Sequence, residues 1–181
     1  MRKTVRYAVA QGLAAGLALT LPACGGDPEP RFEEEPSPTP SEVSSSAPAT
    51  EAWEEKSPEG AVAFAEHWTA TFSEAFQTGE TDDLQALSAG QCGTCRTFID
   101  LIREVYEGGG SIAGDPWSLR SPSWVESADS VVVTGKMQIP KQVISRAGEE
   151  PSEAEATRER YIFTIEWRDD AWQTTRLVRE T

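Results

Sequence analysis

The sequence predicts an α+β domain in which N-terminal helices pack on a curved antiparallel sheet of about four strands. Two observations carry this. Apolar residues recur at helical spacing over 61–76 and again over 95–106. The period then switches to 2 over 131–139 and 161–167. A third observation removes a rival: no glycine-rich phosphate loop opens a helix and no strand–helix–strand alternation occurs, which argues against a nucleotide-binding α/β fold.

The first helix begins at Ser57-Pro58-Glu59, with a Ser N-cap, Pro at the first helical position and an acid beside the positive end of the helix dipole. Ala61, Phe64, Ala65, Trp68, Phe72, Ala75 and Phe76 share one face, and Gly79 ends the helix. Thr81 is expected to cap a short second helix with Leu84 and Leu87 turned inward. A third helix is expected over about 94–107, with Cys95, Phe98, Ile99, Ile102, Val105 and Tyr106 on its apolar face. Gly108-Gly109-Gly110 stops it. Trp117 and Leu119 mark a first strand, expected to end before Pro122. Val131, Val133, Met137 and Ile139 alternate with Val132, Thr134, Lys136 and Gln138. Tyr161, Phe163, Ile165 and Trp167 alternate in the same way. Asp169-Asp170 turns a hairpin, and the last strand returns over 172–179. Residues 141–157 read as a charged loop.

Ahead of this domain, placed at 58–181, the chain carries an address and a tether. Arg2, Lys3 and Arg6 precede a mostly apolar run over 7–21, too short to span the roughly 30 Å hydrocarbon core of a bilayer. A basic start, an apolar middle and small residues form the pattern of a secretory signal. It ends in Leu21-Pro22-Ala23-Cys24, which resembles the lipobox of bacterial lipoproteins. That resemblance implies a signal peptide of residues 1–23, cleavage before Cys24 and diacylation of its thiol. The protein would then be held on the cell membrane, facing outside the cytoplasm. Two acyl chains, at ~0.8 kcal/mol per buried methylene, make a stable anchor where one is marginal.

Residues 24–57 read as a disordered tether. Pro28, Pro30, Pro36, Pro38 and Pro40 break helices, Glu33, Glu34 and Glu35 repel one another, and large apolar residues are few. Such a stretch buries too little surface to offset its ordering entropy. At ~3.1 Å per residue it reaches on the order of 100 Å when extended.

Charge excludes several classes of partner. The 181 residues hold 16 Lys plus Arg against 30 Asp plus Glu, a net charge of −14. Removing Arg2, Lys3 and Arg6 with the signal takes this to −17. Nucleic acid needs a basic face, and a polybasic grip on anionic lipid needs the same. One His and three Cys supply too few ligands for a set of zinc sites, and no cofactor is implied.

Three features together resemble a known family. They are Pro58-Glu59-Gly60-Ala61 with Phe64 and Trp68, then Leu87-Ser88 with Cys92-Gly93-Thr94-Cys95, then Tyr106-Glu107-Gly108-Gly109. They look like an actinobacterial lipoprotein family known only as a domain of unknown function. The helices-then-sheet order is similar to the cystatin-like cone of the nuclear transport factor 2-like superfamily. The resemblance covers about 57–181 and implies a cone-like domain. It carries no assigned activity, and by analogy with such cones it implies a homodimer as one state.

The remaining candidates are local. Cys92 and Cys95 open the third helix, where a thiol pKa is lowered. An oxidising compartment and the core phase of Cys95 favour a stabilising disulfide, with thiol–disulfide chemistry as the competing reading. His67 falls off the apolar stripe and reads as a surface residue. Asp100, Asp115 and Glu166 show no spacing that pairs them, so no catalytic residue is assigned. Trp117, Trp124, Tyr161, Trp167 and Trp172 make the sheet aromatic-rich, and the first four are candidates for a pocket or a partner surface. The expectation is a lipid-anchored extracytoplasmic ligand-binding or protein-interaction module. The alternatives are a cone-pocket enzyme of the dehydratase or isomerase kind, or a thiol–disulfide protein.

Overall fold

The computed structural model describes residues 51–180. Residues 1–50, with the expected signal, Cys24 and most of the tether, lie outside the described residues.

Three helices come first, as the periodicity requires. α1 (Pro58–Thr78) starts where the Gly60 amide donates to Ser57 Oγ at 2.9 Å. It ends at Gly79, whose φ of 85° only glycine adopts freely and where a β-carbon would stand 2.6 Å from the Tyr106 ring. Thr69 and Ser73 lie on its buried face and satisfy their hydroxyls on the carbonyls of Ala65 and Thr69. α2 (Asp82–Ala86) buries Leu84, with Leu87 half-buried just beyond it. The Thr81 hydroxyl does not cap it. It accepts from Arg103 Nε at 2.8 Å, which ties α2 to α3 (Gly93–Glu107).

The strands correct the expected count. The described residues form seven, β1 (Ser111–Gly114), β2 (Ser118–Ser127), β3 (Ser130–Ile139), β4 (Gln142–Ser145), β5 (Ser152–Ala154), β6 (Thr157–Arg168) and β7 (Ala171–Glu180). The four-stranded sheet, in the order β2-β3-β6-β7, is the one the alternation announces. A second, three-stranded sheet has the order β1-β4-β5 and occupies much of the expected charged loop. Its strands hide from a periodicity argument because they are three or four residues long and β5 is exposed throughout. Lys141 and Glu153 form an ion pair of 2.7 Å beside the β4–β5 pairing.

β2 does not stop before Pro122. Its pairing with β3 breaks between Arg120 and Ser123, so Ser121 and Pro122 bulge outward and the ladder resumes. A proline is tolerated here because β2 is an edge strand and the bulged residue owes no ladder hydrogen bond. The β6–β7 hairpin turns through Asp169 and Asp170, both at positive φ (49° and 61°), the backbone of a tight primed turn.

Register separates the two faces of the large sheet. Val131, Val133, Met137, Phe163, Ile165 and Leu177 point toward the helices and are buried. They meet Phe64, Trp68 and Phe72 from α1 and Ile99, Ile102 and Val105 from α3. Thr134, Lys136, Ile162, Arg160, Val178 and Glu180 point the other way and are at least partly exposed.

A turn of 3-10 helix (Ala52–Glu54) lies inside the stretch whose composition reads as tether. Trp53 explains its order. Its ring stacks on His67 of α1 at 4.1 Å with planes 1° apart, and Trp172 Nε1 donates to the Glu55 carbonyl at 2.8 Å.

Candidate functional site

The cysteine pair is oxidised: Cys92 and Cys95 form a disulfide with Cα atoms 5.3 Å apart. Cys92 also N-caps α3, its Sγ accepting from the Cys95 amide at 3.3 Å. The two residues are 1 % and 0 % exposed, inside the hydrophobic core. Exchange requires an attacking thiolate to reach a sulfur in line. Burial blocks that approach, and the pair braces the start of α3.

The four aromatic candidates are not brought together. Trp117 closes a cluster with Phe72, Phe76 and Phe98, its ring 4.8 Å from that of Phe72 and edge-on to it. Its backbone amide donates to Ser73 Oγ at 2.9 Å, and its Nε1 is buried without a hydrogen-bond partner. Tyr161 is buried on the helix-facing side of β6. Burial, with Glu159 nearby, pushes its pKa up, and Arg179 opposes this only in part. Trp124 stands on edge strand β2 and is 39 % exposed.

Trp167 lines an open concavity. Its ring packs edge-on against Trp172 at 5.0 Å, and the Lys56 ammonium stands 5.7 Å over its face. Together with Glu126 near the end of β2 and Asp129 of the β2–β3 turn they form a groove of about 380 Å³ at the end of the sheet, where α1 begins. An aromatic floor flanked by two carboxylates and one ammonium suits a ligand with a flat apolar face and polar edges. Sequence reasoning missed Lys56, Glu126 and Asp129 as site residues. With Trp167 and Trp172 they come from three segments that only the tertiary fold sets side by side.

The interior offers no such chemistry. The buried polar residues among those described are Thr69, Ser73, Thr81, Gln142, Thr174 and Thr175, with no Asp, Glu, His, Lys or Arg among them. His67 is partly buried against Trp53, and desolvation lowers its pKa despite the opposing pull of Glu51, Asp83 and Glu54. Among the described residues no group of three or more His, Cys, Asp or Glu is placed to hold a metal ion. No described helix is long and apolar enough to cross a membrane.

A family model, the family of unknown function DUF6318, matches residues 47–177. The chain belongs to DUF6318. No curated protein matches it. Among solved structures, this DUF6318 chain is similar to the intermembrane-space region of the chloroplast protein ARC6, with 14 % identity and a TM-score of 0.52 over 69 % of this chain and 97 % of that one. An NTF2-like protein with a cystatin-like fold from Novosphingobium aromaticivorans follows at 11 % identity and TM-score 0.39, over 65 % and 79 % of the two chains. A protein named as a scytalone dehydratase from the same organism has 12 % identity and TM-score 0.44, over 67 % and 85 %. At such identities the likeness is one of fold alone. The expected helices-then-sheet order stands, with the sheet left open between edge strands β2 and β7.

Proposed function

We propose that this DUF6318 protein is a lipid-anchored, extracytoplasmic binding module that takes its ligand or partner in a surface groove. The observation that carries this reading is the packed interior. Trp68, Phe72 and Phe163 are at most 1 % exposed, and among the described residues no charged side chain is buried with them. A dehydratase or isomerase needs an ionisable group inside a cavity that its substrate can enter. The groove at Trp167 supports binding instead, since a flat ligand stacks there at little entropic cost to the protein. The lipid anchor rests on Leu21-Pro22-Ala23-Cys24 and the acidic tether that follows, which would hold the domain away from the bilayer.

Two measurements test the reading. Cys24→Ser is expected to move the protein out of the membrane fraction of its source cell, and retention there would overturn the anchor. Native mass spectrometry of the full chain from the oxidising compartment is expected to show a bound mass that Trp167→Ala removes. Turnover of a hydroxylated substrate by the purified chain, unchanged in Trp167→Ala, would replace the module with an enzyme.

A further inference from the structure

We infer that the bulge in β2 frames a binding site for a phosphate group, on the sheet face turned away from the helices. The first observation is a row of like charges. Arg120 on β2 is the register partner of Lys136 on β3, and Lys136 is the partner of Arg160 on β6. All three are exposed and share one face, because Leu119, Met137 and Tyr161 beside them are buried on the other. Like charges placed directly across strands weaken a sheet. This chain has nearly twice as many acids as bases, so a row of three neighbouring cations stands out. Glu180 ends the row and pairs with Arg160 Nε at 3.2 Å. Among the described residues, Arg120 and Lys136 have no acidic partner within ion-pair distance.

The second observation is a small depression in the same place. It measures about 100 Å³ and is lined by Ser121, Ser123, Thr134, Gly135, Lys136 and Arg160. Three hydroxyls and two cationic side chains converge there, a donor set for an anion with several oxygens. Its volume admits one such group and no larger head.

The third observation is strain. Ser121 has φ 48°, in the left-handed region that a serine rarely occupies. Gly135 lies opposite the bulge, and a β-carbon there would meet Leu119 Cδ1 at 2.6 Å. The bulge thus lifts Ser121 out of the ladder, to the rim of the depression that Lys136 also lines. Backbone strain held by tight packing beside clustered donors is a pattern of ligand sites.

The phosphate could arrive free or as a phosphodiester in an anionic polymer, and the test separates the two. The full chain, ¹⁵N-labelled, is titrated at constant ionic strength with inorganic phosphate, with poly(glycerol phosphate) and with polyglutamate. Saturable amide shifts are expected at Ser121, Ser123, Thr134, Lys136 and Arg160. Lys136→Gln and Arg160→Gln should each weaken binding about tenfold, and Arg96→Gln on α3 should leave it unchanged. Both variants lie on the exposed face, and an unaltered melting curve shows that they fold. Saturation by phosphate assigns the free anion, and saturation by the polymer alone assigns the phosphodiester. Binding of polyglutamate at equal strength, or shifts that spread over all basic residues without saturating, overturns the site.

Discussion

The two faces of the four-stranded sheet are built from the same strands and do opposite work. On β6, Phe163 is sealed beneath Trp68 while its neighbour Ile162 looks outward. On β3, Met137 is 2 % exposed and the adjacent Lys136 stands in solvent beside two other cations. The inner face is apolar and filled, and its energy comes from surface removed from water. The outer face is mixed, and its charges are arranged at a cost to the sheet. The comparison teaches that this domain spends its inner face on packing and leaves its cationic and aromatic side chains on the outer face and rim.

Truncation should expose the contrast most sharply. Phe163→Ala is expected to cost about 3–5 kcal/mol, since a fully buried ring leaves a cavity. Ile162→Ala, one residue away on the outer face, is expected to cost about 1 kcal/mol or less. Urea unfolding of the two variants measures both, and equal losses would mean that the outer face is covered. Replacing Cys92 and Cys95 together by Ser removes a cross-link over a very short loop, for which chain entropy gives about 2 kcal/mol. The same urea midpoint should fall accordingly, and a reducing agent should act on the folded wild type only slowly because the sulfurs are buried.

Lys136→Glu tests the other face. It places an acid between Arg120 and Arg160 and is expected to raise stability by a few tenths of a kcal/mol, within the range of cross-strand pairs. A stabilising substitution that abolishes phosphate binding would show that the row is kept for a ligand. The smallest effect belongs to His67. Its pKa is lowered in the folded chain from the ordinary 6.5, so the unfolded chain binds more protons between the two values. The contribution is therefore full above about pH 6.5 and lost as pH falls through the folded value. Thermal midpoints of wild type and His67→Gln, compared from about pH 7.5 to pH 5.5, should converge at the acid end. Divergence there would place the imidazole in a salt bridge instead.

The strands of the inner face were legible in the sequence for the reason they are stable. Long alternating runs must bury one side, so β3, β6 and β7 announce themselves, as do the apolar stripes of α1 and α3. The continuation of β2 beyond Pro122 did not, because a bulge restores register only after the proline and its far end is exposed. β1, β4 and β5 were hidden because short, half-wet strands have no period to read. Trp53 was misplaced in the tether because acidic neighbours mask a single ring whose partner, His67, lies on another element.

The candidate sites divide in the same way. The Cys92–Cys95 pair is local, so spacing and helical phase sufficed to suggest it. The groove needed Lys56, Asp129 and Trp167 from three distant segments, and the cation row needed a register that runs across three strands. By itself the sequence determined the class of fold, the order of its elements and the acidic character of the chain, because composition and periodicity are local properties. Only the tertiary structure decided which face of each strand meets water and which charges become neighbours. Those follow from strand register, and a shift of one residue would turn every side chain to the opposite face.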